Sequence, residues 1–120
     1  METHSRRVYI AGPYSADNVM DILHNIRQGI EMAAKLLKLG YAPFCPWLDF
    51  LFVFFDKDKI LTKQQFYDYS IAWLEVSDGI LMLEGWRDSN GAVDEYEKAK
   101  KKDIPIFYDI NELLLYKWNG

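Results

Sequence analysis

Asp88, Asp94, Glu95 and Glu97 fall within ten positions of the segment GWRDSNGAVDEYEKAKKK, residues 85–102. Carboxylates crowded in this way form a solvated helix face or, where one is desolvated beside a ligand, act as nucleophile or general base. Which way each one points decides between the two, and helical periodicity addresses that. At about 100° per residue, Ala92, Glu95 and Ala99 share one stripe. Small residues on a stripe suit close packing against a sheet. Asp94 has Lys98 four residues on and Glu97 has Lys101, the order that favours surface pairs of about 0.2–0.5 kcal/mol each. Glu95 has only Ala99 at that spacing. It is expected on the packed side, as an anion favoured by the helix N-terminus by roughly 0.3–1 kcal/mol. A structural glutamate making a capping contact fits the same position, and periodicity leaves both readings open.

The elements that must position these groups alternate in type. RVYIA (7–11) is a β-branched and aromatic run ended by Gly12-Pro13 and reads as a buried strand. Asp17 or Ser15 can cap the helix that follows, whose packed face is expected to hold Ile22, Ile26, Ile30, Ala33 and Leu37 before Gly40 stops it. YAPFCP gives a second strand, kept short by its prolines. Residues 47–61 lack a clean period and are expected as an extended loop or short helix. Thr62 begins a helix with Phe66, Tyr69, Ser70, Trp73 and Leu74 on one side. GILML (79–83) is a third strand, residues 91–102 a helix, IPIFY (104–108) a fourth strand, and NELLLYKW a closing helix capped by Asp109 or Asn111.

Strands alternating with helices imply an α/β domain, a central parallel sheet with helices on both faces. Ligands in such sheets sit beyond the carboxyl ends of the strands. Gly12, Pro13, Tyr14 and Ser15 after the first strand, and Trp86, Asp88, Ser89 and Gly91 after the third, therefore belong at the ligand edge. Asp78 precedes its strand and is expected at the opposite edge, in a structural role.

Composition narrows the functional classes. A chain of 120 residues makes one domain, with residues 1–6 expected as a flexible tail, and half its residues are hydrophobic, enough for a real core. The net charge of −4 argues against a binder of nucleic-acid polymer, which needs a basic surface. Cys45 alone gives no disulfide framework, and two histidines make a multi-histidine metal site unexpected. No metal and no cofactor are expected. No signal peptide is read at the start, and the densest apolar run, WLDFLFVFFD, is too short for a spanning helix of roughly 20 residues. A cytoplasmic domain with no membrane partner is the expectation.

VYIAGPYS, the PFCP strand, AWLEVSDGILML and GWRDSNGAVDEYEKA together resemble the nucleoside 2-deoxyribosyltransferase-like superfamily, most of all its small members with YIAGPYS near the start and GW-x-x-S-x-G-A-x-x-E later. The resemblance runs from about Arg7 to Tyr108 and is weakest over 47–65. It implies a flavodoxin-like fold and cleavage of the N-glycosidic bond of a nucleoside or nucleoside 5′-monophosphate. The family's nucleophile falls on Glu95, which would form a glycosyl-enzyme ester later resolved by water or a second base, the logic of retaining glycosidases. Tyr9 matches the tyrosine that orients that nucleophile. Gly12, Pro13, Tyr14 and Ser15 match the loop that approaches the sugar or its phosphate. Ser89, with Asn90 and Gly91 at a helix N-terminus, suits a 5′-phosphate, although Ser89 acting only as a helix cap fits as well.

One position departs from the pattern. Ser70 stands where relatives carry an aspartate that acts on the leaving base or the sugar, and a serine is a poor acid at neutral pH. Slow activity, an aspartate such as Asp49 or Asp88 standing in, or a binding module of the same fold without efficient catalysis all follow from that change. Trp47, Phe50, Trp86 and Tyr14 offer a stacking face for a base, with core or subunit interface as the competing role, favoured for the phenylalanines of 50–55. The resemblance implies a homo-oligomer, dimer or larger.

Overall fold

RVYIA forms strand β1 (Arg7–Ala11), and Val8, Tyr9 and Ile10 within it are wholly excluded from solvent. Burial on both faces means that β1 is central. In the computed structural model, which describes residues 5–54 and 60–118, its neighbours are β2 (Ala42–Phe44) on one side and β3 (Gly79–Met82) on the other. Strand β4 (Ile106–Phe107) pairs with β3, giving an all-parallel sheet in the order β2-β1-β3-β4. The tail residues 1–4, Phe55 and residues 56–59 of the ambiguous segment lie outside the described residues.

Alternation along β1 divides the core. Val8 and Ile10 face helix α1 (Val19–Lys38) and helix α4 (Ile110–Leu115), packing with Ile26, Leu36 and Leu113. Tyr9 and Ala11 face helices α2 (Lys63–Glu75) and α3 (Asn90–Lys101), packing with Leu74, Ala92 and Ala99. The result is the expected three-layer, flavodoxin-like α/β arrangement. Asp78 accepts from the Arg7 amide at 2.8 Å and donates its own amide to the Arg7 carbonyl at 2.7 Å, a staple at the edge where the strands begin.

Helix α1 corrects two expectations. Its N-cap is Asn18, whose Oδ1 accepts from the Asp21 amide at 2.9 Å, rather than Asp17 or Ser15. Its buried line runs through Ile26, Gly29 and Leu36, while Ile30 and Leu37 are exposed. Two successive steps of four residues turn about 80° away from the starting line, so the stripe drawn through Ile22, Ile26 and Ile30 drifts off the sheet. The far end is as expected: Gly40, at φ +95°, takes the left-handed conformation, and Tyr41 and Gly40 donate to Leu36 and Leu37.

The segment after β2 is a 3₁₀ helix, Pro46–Phe54. Helix α2 starts at a capping box in which Thr62 and Gln65 satisfy each other's amides. Its buried line is Ser70 and Leu74; Tyr69 and Trp73, expected on the packed side, are exposed and lie against Phe44 at 5.9 and 5.8 Å. Asp109 caps α4 through the Glu112 amide. Among the described residues, no helix is long and apolar enough to cross a membrane.

Candidate functional site

A cavity of about 190 Å³ opens beyond the carboxyl end of β1, between the loop that follows it, the 3₁₀ segment, α2 and the start of α3. The β1 loop contributes Gly12 and Tyr14, the 3₁₀ segment Trp47 and Asp49, α2 Phe66, Tyr67 and Ser70, and the α3 end Ser89, Gly91 and Glu95. A larger groove of about 580 Å³ adjoins it and shares Pro46 and Asp49, but its other walls are mostly apolar. Convergent polar groups make the smaller cavity the candidate site.

Glu95 lines this cavity, and Tyr9, wholly buried behind the wall, reaches it. The phenol of Tyr9 donates a hydrogen bond to Glu95 Oε2, bringing together residues 86 apart in sequence. Tyr9 is locked in place by the sheet and by Phe44, stacked on its ring at 5.3 Å. Burial, followed by the charge and hydrogen bond of Glu95, raises the Tyr9 pKa well above its ordinary value, while a hydrogen bond with the Ser70 hydroxyl works the other way. The phenol therefore stays protonated and acts as a donor. Ser70 is buried and serves that phenol.

Burial raises the Glu95 carboxyl from 4.5 to about 7, opposed by the Tyr9 hydrogen bond and reinforced by the charges of Asp94 and Asp49. The anion-favouring helix dipole expected from sequence does not prevail. Glu95 is the sixth residue of α3, and the dipole's influence fades within the first turn. Desolvation wins.

Asp94 also departs from expectation. It accepts from the Tyr67 hydroxyl, and this hydrogen bond, more than burial, pushes Tyr67 up to about 12. Neither Asp94–Lys98 nor Glu97–Lys101 forms an ion pair; lysine bridges instead join Lys102 to Glu75, and arginine Arg27 to Glu31, each at 3.0 Å. Asp94 is one residue from Glu95, about 100° around the helix, and α2 lies across that direction where the sequence pattern pointed to solvent.

The first loop is held from several sides. A Cβ on Gly12 would come within 3.0 Å of Leu83 Cβ and 3.3 Å of the Trp47 ring, so the close approach there requires glycine. Trp47 Nε1 donates to the Pro13 carbonyl at 2.9 Å, and Asn25 donates to the Tyr14 carbonyl at 3.1 Å. Burial, followed by the charge of the neighbouring Asp49, pushes Tyr14 up to about 12. Burial also raises the Asp49 carboxyl, against the hydrogen bond from Tyr14. At the opposite wall Ser89 caps α3, its Oγ accepting from the Ala92 amide at 3.3 Å.

The structure thus brings Gly12, Tyr14, Trp47, Ser70, Ser89, Gly91 and Glu95 to one cavity wall, with Tyr9 buried behind it and bonded to Glu95. Pro13, Ser15, Asp88, Asn90, Phe50 and Trp86 are not part of the cavity wall. Trp86 is buried against Tyr96 at 4.6 Å with the Arg87 guanidinium over its ring, so it offers no face to a ligand here. Ser15, Asp88, Asn90 and Phe50 are exposed. Tyr67 was not anticipated, and Asp49 only as a stand-in. The Thr62–Gln65 capping box carried a signal for Tyr67: it fixes where α2 begins, and residues three and four before the inward Ser70 are Tyr67 and Phe66.

Comparison with known proteins adds a family and no activity. No curated protein matches the chain. The family model described as a domain of unknown function, DUF4406, matches residues 6–108, a span that includes all four strands and every wall of the cavity. The chain belongs to the DUF4406 family.

Proposed function

We propose that this chain cleaves the N-glycosidic bond of a nucleoside or nucleoside 5′-monophosphate, as the resemblance to the nucleoside 2-deoxyribosyltransferase-like superfamily implies. The observation that carries the reading is the hydrogen bond from buried Tyr9 to Glu95, a residue that lines a cavity beyond the carboxyl end of the sheet. A Glu95 oxygen attacks C1′ as the bond to the base breaks, giving a glycosyl ester. Water or a second base then takes the sugar and frees the carboxylate. The Tyr9 phenol holds one Glu95 oxygen, leaving the other to attack. Around the sugar, the free Gly91 face leaves room for close backbone approach: a Cβ there would meet nothing within 4 Å.

The working form in this reading is a cytoplasmic homo-oligomer, dimer or larger. Exposed Ile30, Leu37, Leu48 and Phe52 around the apolar groove supply the surface such an assembly would cover. The test of activity is a panel of nucleosides and their monophosphates, with and without an acceptor base, assayed for free base by chromatography. Glu95→Ala is expected to abolish release while Glu97→Ala, on an exposed side chain, leaves it nearly unchanged.

A second reading, a nucleotide-binding module of the same fold without efficient catalysis, is favoured by one observation: Ser70 is engaged with Tyr9 and brings no acidic proton to a leaving base. Tight nucleotide binding by calorimetry with no base freed over hours would select it.

A further inference from the structure

We infer that Asp49 is the acid–base partner of Glu95, protonating the base as it leaves and deprotonating the group that replaces it. The inference rests on the glycosidase reading above and answers the difficulty raised by Ser70. Departure of a neutral purine or pyrimidine from C1′ places an electron pair on a ring nitrogen, and a positioned acid speeds that step by roughly 10²–10⁴-fold. Among the described residues lining the cavity, the titratable side chains are Tyr14, Asp49, Tyr67 and Glu95. Both tyrosines hold their protons up to about 12, and Glu95 is occupied as nucleophile. Asp49 is left. Other nearby aspartates are turned elsewhere: Asp94 toward Tyr67, Asp68 toward Gln64 at 2.8 Å, and Asp88 into solvent.

The fold places Asp49 for this work. Strand β2 lies beside β1, so the 3₁₀ segment that follows β2 arrives next to the β1 loop, where Asp49 and Tyr14 share the cavity wall and the Tyr14 hydroxyl works against the rise in the Asp49 pKa. Asp49 also forms part of the wall of the larger apolar groove. It stands on the border between the polar cavity and an apolar bed, the side toward which a flat base would depart. The two carboxylates affect each other, since a charge on Asp49 makes Glu95 harder to ionise. Two like charges in one cavity favour a state in which the pair keeps one proton; the reaction draws on the form in which that proton sits on Asp49 and Glu95 is the anion. The groups that sense Asp49 are Tyr9, Tyr14, Cys45 and Glu95.

The chemistry balances. In the first half, the Asp49 proton passes to the base nitrogen while the C1′–N electron pair goes to the base and a Glu95 oxygen bonds to C1′. In the second, water gives a proton to the Asp49 carboxylate as its oxygen bonds to C1′, and Glu95 leaves as the anion.

The test compares 2′-deoxyguanosine, whose base must be protonated, with its N7-methyl derivative, whose base departs neutral without a proton, each with and without a 5′-phosphate. Asp49→Asn, checked for folding by its melting temperature, is expected to lose about 100-fold or more on the unmethylated substrate and less than about tenfold on the methylated one. Its pH profile should also lose the decline that the wild type shows when the pair gives up its last proton. Tyr14→Phe keeps the carboxyl but removes the donor that lowers its pKa. Its profile should shift to higher pH, and this variant decides the matter if Asp49→Asn does not fold. Equal losses on both substrates, no loss on either, or an unmoved Tyr14→Phe profile would overturn the role of Asp49 alone. Where the wild type frees neither form of guanine, the comparison is made with a purine nucleoside of the panel that it does cleave and that nucleoside's N7-methyl derivative. A wild type that cleaves no member of the panel removes the glycosidase reading, and this role with it.

Discussion

At the scale of single residues, the Glu95 carboxyl has opposite effects on stability and on chemistry. Its pKa in the fold, about 7, lies above the ordinary 4.5, so between those values the native state holds a proton that the unfolded chain releases. Stability contributed by the protonated form is full below about 4.5 and is lost as pH rises toward 7. At higher pH the penalty is constant, roughly 3 kcal/mol. Glu95→Gln keeps an acceptor for Tyr9 and removes the charge. Its melting temperature should exceed that of the wild type by roughly 10–15 °C at pH 8 and match it near pH 4.5; equal values at both pH would mean that the carboxyl is solvated. Tyr9→Phe removes the one hydrogen bond that opposes the shift, and base release should fall roughly 10–100-fold in kcat/KM with the fold retained. Sequence periodicity nominated Glu95 because Ala92 and Ala99 mark the packed stripe. Its protonation was not legible, since desolvation depends on what α2 and the 3₁₀ segment lay over it.

Among elements, what the sequence revealed depended on whether a local signal set the phase. The small stripe of α3 and the Gly40 stop of α1 are local, and both were readable. The phase of α1 was not, because it depends on Gly29, which admits the Trp47 ring: a Cβ there would lie 2.3 Å from Trp47 Cε3. That contact joins α1 to a segment with no periodic pattern. Gly29→Ala should therefore destabilise despite its better helix propensity, with a net loss of roughly 1–2 kcal/mol in urea unfolding and a change in tryptophan emission as the ring is displaced. A gain in stability would show that Trp47 moves aside freely. Asp94 was misplaced for a related reason. A carboxylate with a lysine four residues on looks like a surface pair until another helix crosses its path, and only the packing of α2 on α3 supplies Tyr67.

For the molecule as a whole, alternation of strands and helices was sufficient to give the parallel sheet, the edge at which the cavity opens and the structural position of Asp78. It was not sufficient to tell which aromatic residues reach the cavity wall, because Trp86 and Trp47 have the same chemistry in sequence and are both buried, and only the packing puts Trp47 there. Phe44, Phe52, Tyr69 and Trp73 form a linked aromatic surface beside the apolar groove, with ring centroids 5.5–5.9 Å apart. Sedimentation velocity at micromolar concentration is expected to give a dimer or larger, and a monomer would contradict the proposed assembly. The central claim is that the cavity holding Tyr9 and Glu95 breaks N-glycosidic bonds, and the most direct measurement is free base released from the nucleoside and monophosphate panel by the wild type and by Glu95→Gln. Release by the wild type from at least one substrate, lost in the folded variant, is the predicted result; release that continues unchanged without the Glu95 carboxylate, or no release from any member of the panel, would contradict it.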